Sequence, residues 1–508
     1  DVHSLNPVLN QQTTLGLMAS LTMAWLIKWD HNNNPIPELA TEVPTQANGG
    51  VSKDGLTITY HLRKGVKWSD GQPFTADDVI FTTKQILNPA NNITTRLGWD
   101  RIAKMDEPDK YTVVYHLSKP YSPFIETFFS TVGANPCILP KHLLDKYPNI
   151  NNVPYNSKPI GIGPFMYKEW QRAAKVVMVA NPNYFRGQPK LKEVDFMIVP
   201  ERNTVFTQLQ SKELDMWYGV PGTFLARMGW DPSKGSELPQ LAGFTLLKYP
   251  AYYFNHMDFN ISRPALKEPA VRQALRYAVD RATLREKIGH NLGYLEDQPV
   301  AKVAPYYDPG IHLTPFDLKK AVQILDAAGW KPGADGIRQK NGVRLALEFA
   351  TSSGTPDADQ QIELIRQWWK SIGVDVSVKH YPASLLFAPY AEGGVVYGGK
   401  WDVIFFAWGE DAIGDYSSIY ACESIPPNGQ NDPHWCNPAA NKAMHDLYTH
   451  YDQADRNKDV SVLLREFDKD VPSIVTTGRE ETWVHNTDLK NFNPPPVAPF
   501  DDFMNVDI

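Results

Sequence analysis

The chain has 508 residues, too many for one hydrophobic core, so two or three domains are expected. Apolar residues make up 42% and charged residues 21%, which is ordinary for a globular protein and excludes long disordered or collagen-like tracts. The net charge of −7, with an isoelectric point near 6.0, argues against a nucleic-acid face, which needs a basic surface.

No apolar run approaches the roughly 18 residues of a membrane-spanning helix. The chain opens "DVHSLNPV", without Met, a basic n-region or an apolar h-region, and reads as a mature or truncated product.

Residues 56–62, "LTITYHL", and 112–117, "TVVYHL", alternate apolar and polar as half-buried strands do. Between them "TADDVIFTTKQIL" is helical: Thr75 can cap it, and Asp77 and Asp78 place carboxylates at the positive end of the helix dipole. The preceding stretch, "HLRKGVKWSDGQPFTADDV" (61–79), looks like a site because it gathers Arg63, Lys64, Lys67, Trp68 and three acids. Its parts are a strand end, a turn and a capped helix, so it is expected to be scaffolding within a compact α+β unit.

"KPIGIGPFMYKEWQ" (158–171) restarts the chain with Gly and Pro. Strands are expected at 174–180 and 193–200, a helix at 204–214 and a short strand at "DMWYGV". Beyond about residue 255 the texture becomes α/β. Residues 268–288 read as one helix burying Val271, Ala274, Leu275, Ala278 and Val279. A second helix, 315–330, closes at Gly329. Residues 344–350, 359–373 and 374–381 read as a β-α-β unit, and "KWDVIFFAW" (400–408) is apolar enough for the centre of a sheet. The C-terminal tail is extended and needs a surface to dock on.

Signatures of catalysis are missing from the sequence. There is no GxSxG elbow, Walker A, HExxH or complete GxGxxG, and "GIGPF" carries Pro where a dinucleotide loop would continue into a helix. His445 and His450 are five apart, wrong for one helical face, and His434 and Cys436 lack a second pair, so no metal or cofactor is expected.

Of three cysteines, Cys422 and Cys436 flank a loop rich in Pro, Asn and Gly; closing it is worth about 3 kcal/mol, against the alternative of two free thiols. Cys137 reads as a lone buried thiol. The aromatic content is high, with 14 Trp, 23 Tyr and 22 Phe. "FFAWGEDAIGDYSSIY" (405–420) ends a strand in Trp, Gly and two acids, a good ligand position in an α/β sheet; core packing and turn capping would explain the same residues.

"LTITYHLRKGVKWSDGQPFTADDVIFT" closely resembles the signature of the family 5 extracellular solute-binding proteins, the peptide and nickel receptors of ABC importers. "NPIPELATEVP", "PIGIGPFMYKEW", "NPNYFRGQPKLKEVDFMIVP", "VRQALRYAVDR", "AVQILDAAGW" and "WKSIGVDVSV" resemble further landmarks of that family in the right order, over essentially the whole chain.

The resemblance implies an α/β, two-lobed periplasmic binding protein (a Venus flytrap) with an additional inserted α+β domain. Residues 1–44, 161–254 and 476–508 would form lobe I, 45–160 the inserted domain and 255–475 lobe II. A peptide or small molecule would be captured between the lobes, unchanged, and passed to a membrane permease. A monomer is expected, with no nucleic-acid partner, in the periplasm or, lipid-anchored, on the outer face of the cytoplasmic membrane. That location favours a Cys422–Cys436 disulfide.

The resemblance also implies the ligand contacts. In peptide-binding members the aspartate of a W-x-x-D holds the peptide ammonium, and "WGED" puts Asp411 there, with Trp408 and Gly409 beside it. Phe406, Ala407 and Asp415 complete the expected set in lobe II, and Gln11 and Thr13 that in lobe I. Dipeptide-type members clamp the peptide carboxylate with an arginine where this chain has Ser352, which leaves longer peptides or stacked sugars. An oligosaccharide receptor is the nearer rival. A secreted hydrolase, the distant one, would need Asp411 and Asp415 as its carboxylate pair.

Overall fold

In the computed structural model, which describes residues 4–9, 13–93, 96, 98–131, 136–388, 390, 393–409, 413–495, 500 and 503–508, the alternating segments become strands as their pattern dictates. Strands Thr57–His61, Thr112–Leu117 and Ile102–Asp109 pair antiparallel, burying Ile58, Tyr60, Val113 and Tyr115 on one face. Helix Ala76–Leu87 lies between the first two in sequence. The Asp78 carboxylate accepts from the Thr75 amide (3.1 Å), the Lys141 amide (3.0 Å) and the Trp68 indole (3.4 Å). The cluster at 61–79 is therefore consumed by its own scaffold.

A second antiparallel meander joins Phe165–Gln171, Lys175–Ala180 and Glu193–Met197. The turn before it explains "GIGPF": a Cβ on Gly161 or Gly163 would meet the Thr22 backbone at 1.9 or 2.5 Å, so the chain passes only as glycine.

The principal sheet has six strands in the order Asp375–Tyr381, Ala346–Ser352, Val403–Gly409, Phe244–Phe259, Ser473–Asn486, Met216–Tyr218. The first three are parallel, joined in part by helix Pro356–Ser371, and the rest are antiparallel. Val403–Gly409 lies inside the sheet, as its apolar run requires. Val403 and Phe405 enter a core with Phe259, Phe349 and Trp369; Ile404 and Phe406 enter another with Leu386 and Trp401, as period-2 alternation demands.

Two strands are unusually long, with 16 residues in Phe244–Phe259 and 14 in Ser473–Asn486. Phe244–Pro250 pair with Glu480–Asn486 and Phe254–Asp258 with Ser473–Gly478. Between the two blocks, residues 251–253 face only residue 479, a bulge that bends the ribbon midway.

One expected helix is two. Residues 268–288 form Pro269–Tyr277 and Arg281–Lys287. The Asp280 carboxylate caps the second, accepting from the Thr283 amide at 3.0 Å. Buried Arg281 pairs with Asp297 and donates to the carbonyls of Glu296 (3.0 Å) and Thr314 (2.8 Å). Satisfying that guanidinium outweighs one continuous helix, and all five expected apolar residues are buried nonetheless.

Residues 447–451 pack on the first α+β unit. Ser122 donates its amide to the Tyr448 carbonyl (2.9 Å) and its hydroxyl to that of Leu447 (2.6 Å), and the Tyr451 hydroxyl donates to the Gly55 carbonyl (3.0 Å). Cys422 and Cys436 are disulfide-bonded, and Cys137 is a buried free thiol whose pKa burial pushes up to about 12.

Candidate functional site

The three parallel strands end side by side at Ser352, Tyr381 and Gly409, the carboxyl edge where open α/β sheets take ligands. The bulge in the long strands lies beside the same edge, since Tyr253 is the register partner of Gly409.

Alternation along Val403–Gly409 sends Phe406 and Trp408 to one face. Phe406 is buried, Trp408 half-buried, and Ala407 and Gly409 are exposed. Phe387 and Phe406 rings lie 5.6 Å apart and Phe406 and Trp408 5.7 Å apart, so three rings form a continuous wall. His256, the register partner of Phe406, flanks it on the neighbouring strand, its ring 4.4 Å from Phe406 and its Nε2 2.9 Å from the Asp258 carboxylate.

Asp411 and Gln11 lie outside the described residues, and Thr13 opens helix Thr13–Thr22. Asp415 is half-buried and engaged within the protein. Its carboxylate accepts from the Ser417 amide (3.0 Å) and hydroxyl (2.5 Å) and from the Tyr448 hydroxyl, and it feels the Arg101 guanidinium. That guanidinium stacks on Tyr121 and Tyr448 at 4.8 and 4.4 Å. Desolvation by burial pushes the Asp415 carboxyl up, outweighing these partners. This acid joins residues 98–124 to 447–451; Ser352 is likewise engaged, its carbonyl accepting from the Thr355 hydroxyl at 2.9 Å.

Sequence reasoning missed two aromatic residues at this edge. Phe387 and Tyr253 are 41% and 37% exposed, although most rings of the chain are buried. The signal for Phe387 was its place just after a parallel strand; Tyr253 sits in "PAYYFNHMDF", where Pro250 hides the strand pattern.

The model of the bacterial extracellular solute-binding proteins, family 5 (middle), matches residues 34–429, well over half the chain. The chain belongs to that family. Among curated relatives it is similar to protein XP55 of Streptomyces lividans, 29% identical over 80% of this chain and 69% of that one. It is also similar to the oligopeptide-binding protein AppA of Bacillus subtilis, 26% identical over 89% of this chain and 80% of the relative. The solved structure of Bacillus subtilis AppA in complex with a nonapeptide superposes with a TM-score of 0.81 at 23% identity, covering 100% of this chain and 96% of that one. The fold is thus the two-lobed binding-protein fold with its additional α+β domain. Family 5 proteins are extracellular solute-binding proteins.

Proposed function

We propose that this chain is the extracytoplasmic receptor of an ABC importer, a monomer that captures a peptide between two lobes and hands it unchanged to a membrane permease. The oligopeptide-binding relative supports the ligand class, and the wall Phe387–Phe406–Trp408 beside the bulge supports the place. In this reading residues 1–44, 161–254 and 476–508 form one lobe, 255–475 the other and 45–160 the inserted domain. The two long strands are the crossing point, and their bulge is where the lobes turn.

Asp411 would hold the peptide ammonium, because a desolvated ammonium needs a counter-charge. Trp408, Gly409, Ala407 and Phe406 would line the site from one lobe, and Gln11 and Thr13 from the other. Asp415, held by Ser417, Tyr448 and Arg101, would act by tying residues 413–417 to residues 98–124 and 447–451.

A thermal-shift comparison tests the reading. Peptides of several residues are expected to raise the melting temperature as ligand binding to the folded state must. Stabilisation by cello- or xylo-oligosaccharides with no response to peptides would overturn it.

A further inference from the structure

Beside the bulge of the principal sheet, residues 481 and 483 alternate onto one face, and residue 479 follows in the bulge itself. Trp483 pairs across the ladder with Tyr218, their rings 4.4 Å apart, and Glu481 pairs with Tyr249. The Trp483 indole donates to the Tyr249 hydroxyl at 3.1 Å, and the Tyr218 hydroxyl donates to Glu481. Tyr253 follows in the bulge, exposed, with the Arg479 guanidinium 5.8 Å from its ring centre.

Glu481 is only 9% exposed, yet it makes no ion pair among the described residues. The neighbouring lysine, Lys248, is taken by Glu480 at 2.6 Å. Burial pushes the Glu481 carboxyl up, with the Tyr218 hydroxyl and the Arg479 charge opposing it. A carboxylate beside three tyrosines and a tryptophan, with the Arg479 charge near it but no ion pair among the described residues, is costly to keep ionised unless a closer cation is supplied from outside. Aromatic rings gathered around a carboxylate can take ammonium and guanidinium groups, the rings by cation–π attraction and the carboxylate by charge. The cage is open at its edge, because Tyr218 and Tyr249 are half-buried and Tyr253 exposed.

We infer that Glu481, with Tyr218, Tyr249 and Tyr253, is a cation-binding subsite that receives a lysine or arginine side chain of the bound peptide. The inference rests on the peptide reading above and adds a preference to it. An ammonium entering between the rings gives Glu481 the direct ion-pair partner it lacks among the described residues. Arg479 stands at the outer edge of the cage and opposes entry by like charge.

The test is calorimetric titration with a pentapeptide carrying lysine and its norleucine counterpart, which has the same chain without the charged nitrogen, and with pentane-1,5-diamine alone. Expected is at least a tenfold preference for the lysyl peptide, falling to about one in Glu481→Gln and rising in Arg479→Ala. Equal wild-type affinity for the two peptides, or a preference that survives Glu481→Gln, overturns the subsite and leaves the peptide reading standing. If neither peptide binds but the diamine binds in a Glu481-dependent way, the subsite holds and the peptide reading fails. Binding of none of the three overturns both. Arg479 is exposed, so its variant reports on the cage even if Glu481→Gln does not fold.

Discussion

Tyr294 and Gly478 pair main chain to main chain through hydrogen bonds of 3.0 and 2.9 Å, and the Tyr294 ring covers the glycine so closely that a Cβ there would come within 2.1 Å of it. Gly478 is the residue at which the long strands shift register. A bulky loop residue is thus seated on the point where the sheet bends, and only glycine leaves room for it. Gly478→Ala is expected to destabilise the protein by about 2–4 kcal/mol, since the ring must leave its site. Thermal unfolding checks this; a midpoint within a degree of wild type would mean that the ring moves freely.

Burial raises the pKa of Glu296 to about 7, with Asp297 adding like charge and Lys302 and the Tyr307 hydroxyl (3.2 Å) opposing. A carboxyl whose folded-state pKa is raised binds its proton more tightly when folded. Its stabilising contribution is complete below the unfolded value near 4.5 and is lost as pH rises through about 7. The loss amounts to no more than about 3 kcal/mol. Glu296→Gln should flatten the stability profile across that window and stabilise the protein at pH 7.5. A variant with the wild-type slope between pH 4.5 and 7.5 would assign the slope to other groups.

The disulfide between Cys422 and Cys436 closes a loop with a sequence separation of 14. Replacing both cysteines by alanine is expected to cost about 3 kcal/mol in the chain-entropy description. The same loop is held by Asn431, which donates to the carbonyls of Ala421 (2.8 Å) and Trp435 (2.7 Å), so the fold survives the change. Melting curves with and without reductant measure it; identical midpoints would show that Asn431 suffices.

Trp408→Ala and Asp411→Asn address the proposed ligand contacts. Loss of the half-buried ring that continues from Phe406 should weaken peptide binding by about 1–3 kcal/mol. Loss of the ammonium's counter-charge should weaken it by about 2–5 kcal/mol. Titration with one peptide reads both, and unaltered affinity in either variant would remove that residue from the site.

Much of this was legible because local pattern and tertiary context agree. The strands at 57–61 and 112–117, the capped helix at 76–87 and the β-α-β unit ending at Tyr381 follow from alternation, capping and apolar runs alone. The long strands were not, because Pro250 and the polar run "TTGREET" break the strand signal. They are strands because each supplies the other's hydrogen bonds along nearly its whole length, a non-local reason. The split of helix 268–288 has the same origin in Arg281 and Asp297. At the candidate site, Trp408 was legible from its strand end. Glu481 was not, because a carboxylate in "GREETW" reads as a solvated strand face. Only the register that sets it opposite Tyr249 reveals the aromatic walls.

The most direct measurement is native mass spectrometry of the ligand-stripped protein after incubation with a mixed peptide digest. Capture without chemistry predicts a one-to-one complex whose peptide, released on unfolding, has its original mass. A protein that stays peptide-free, or one that releases cleaved peptide, would contradict it.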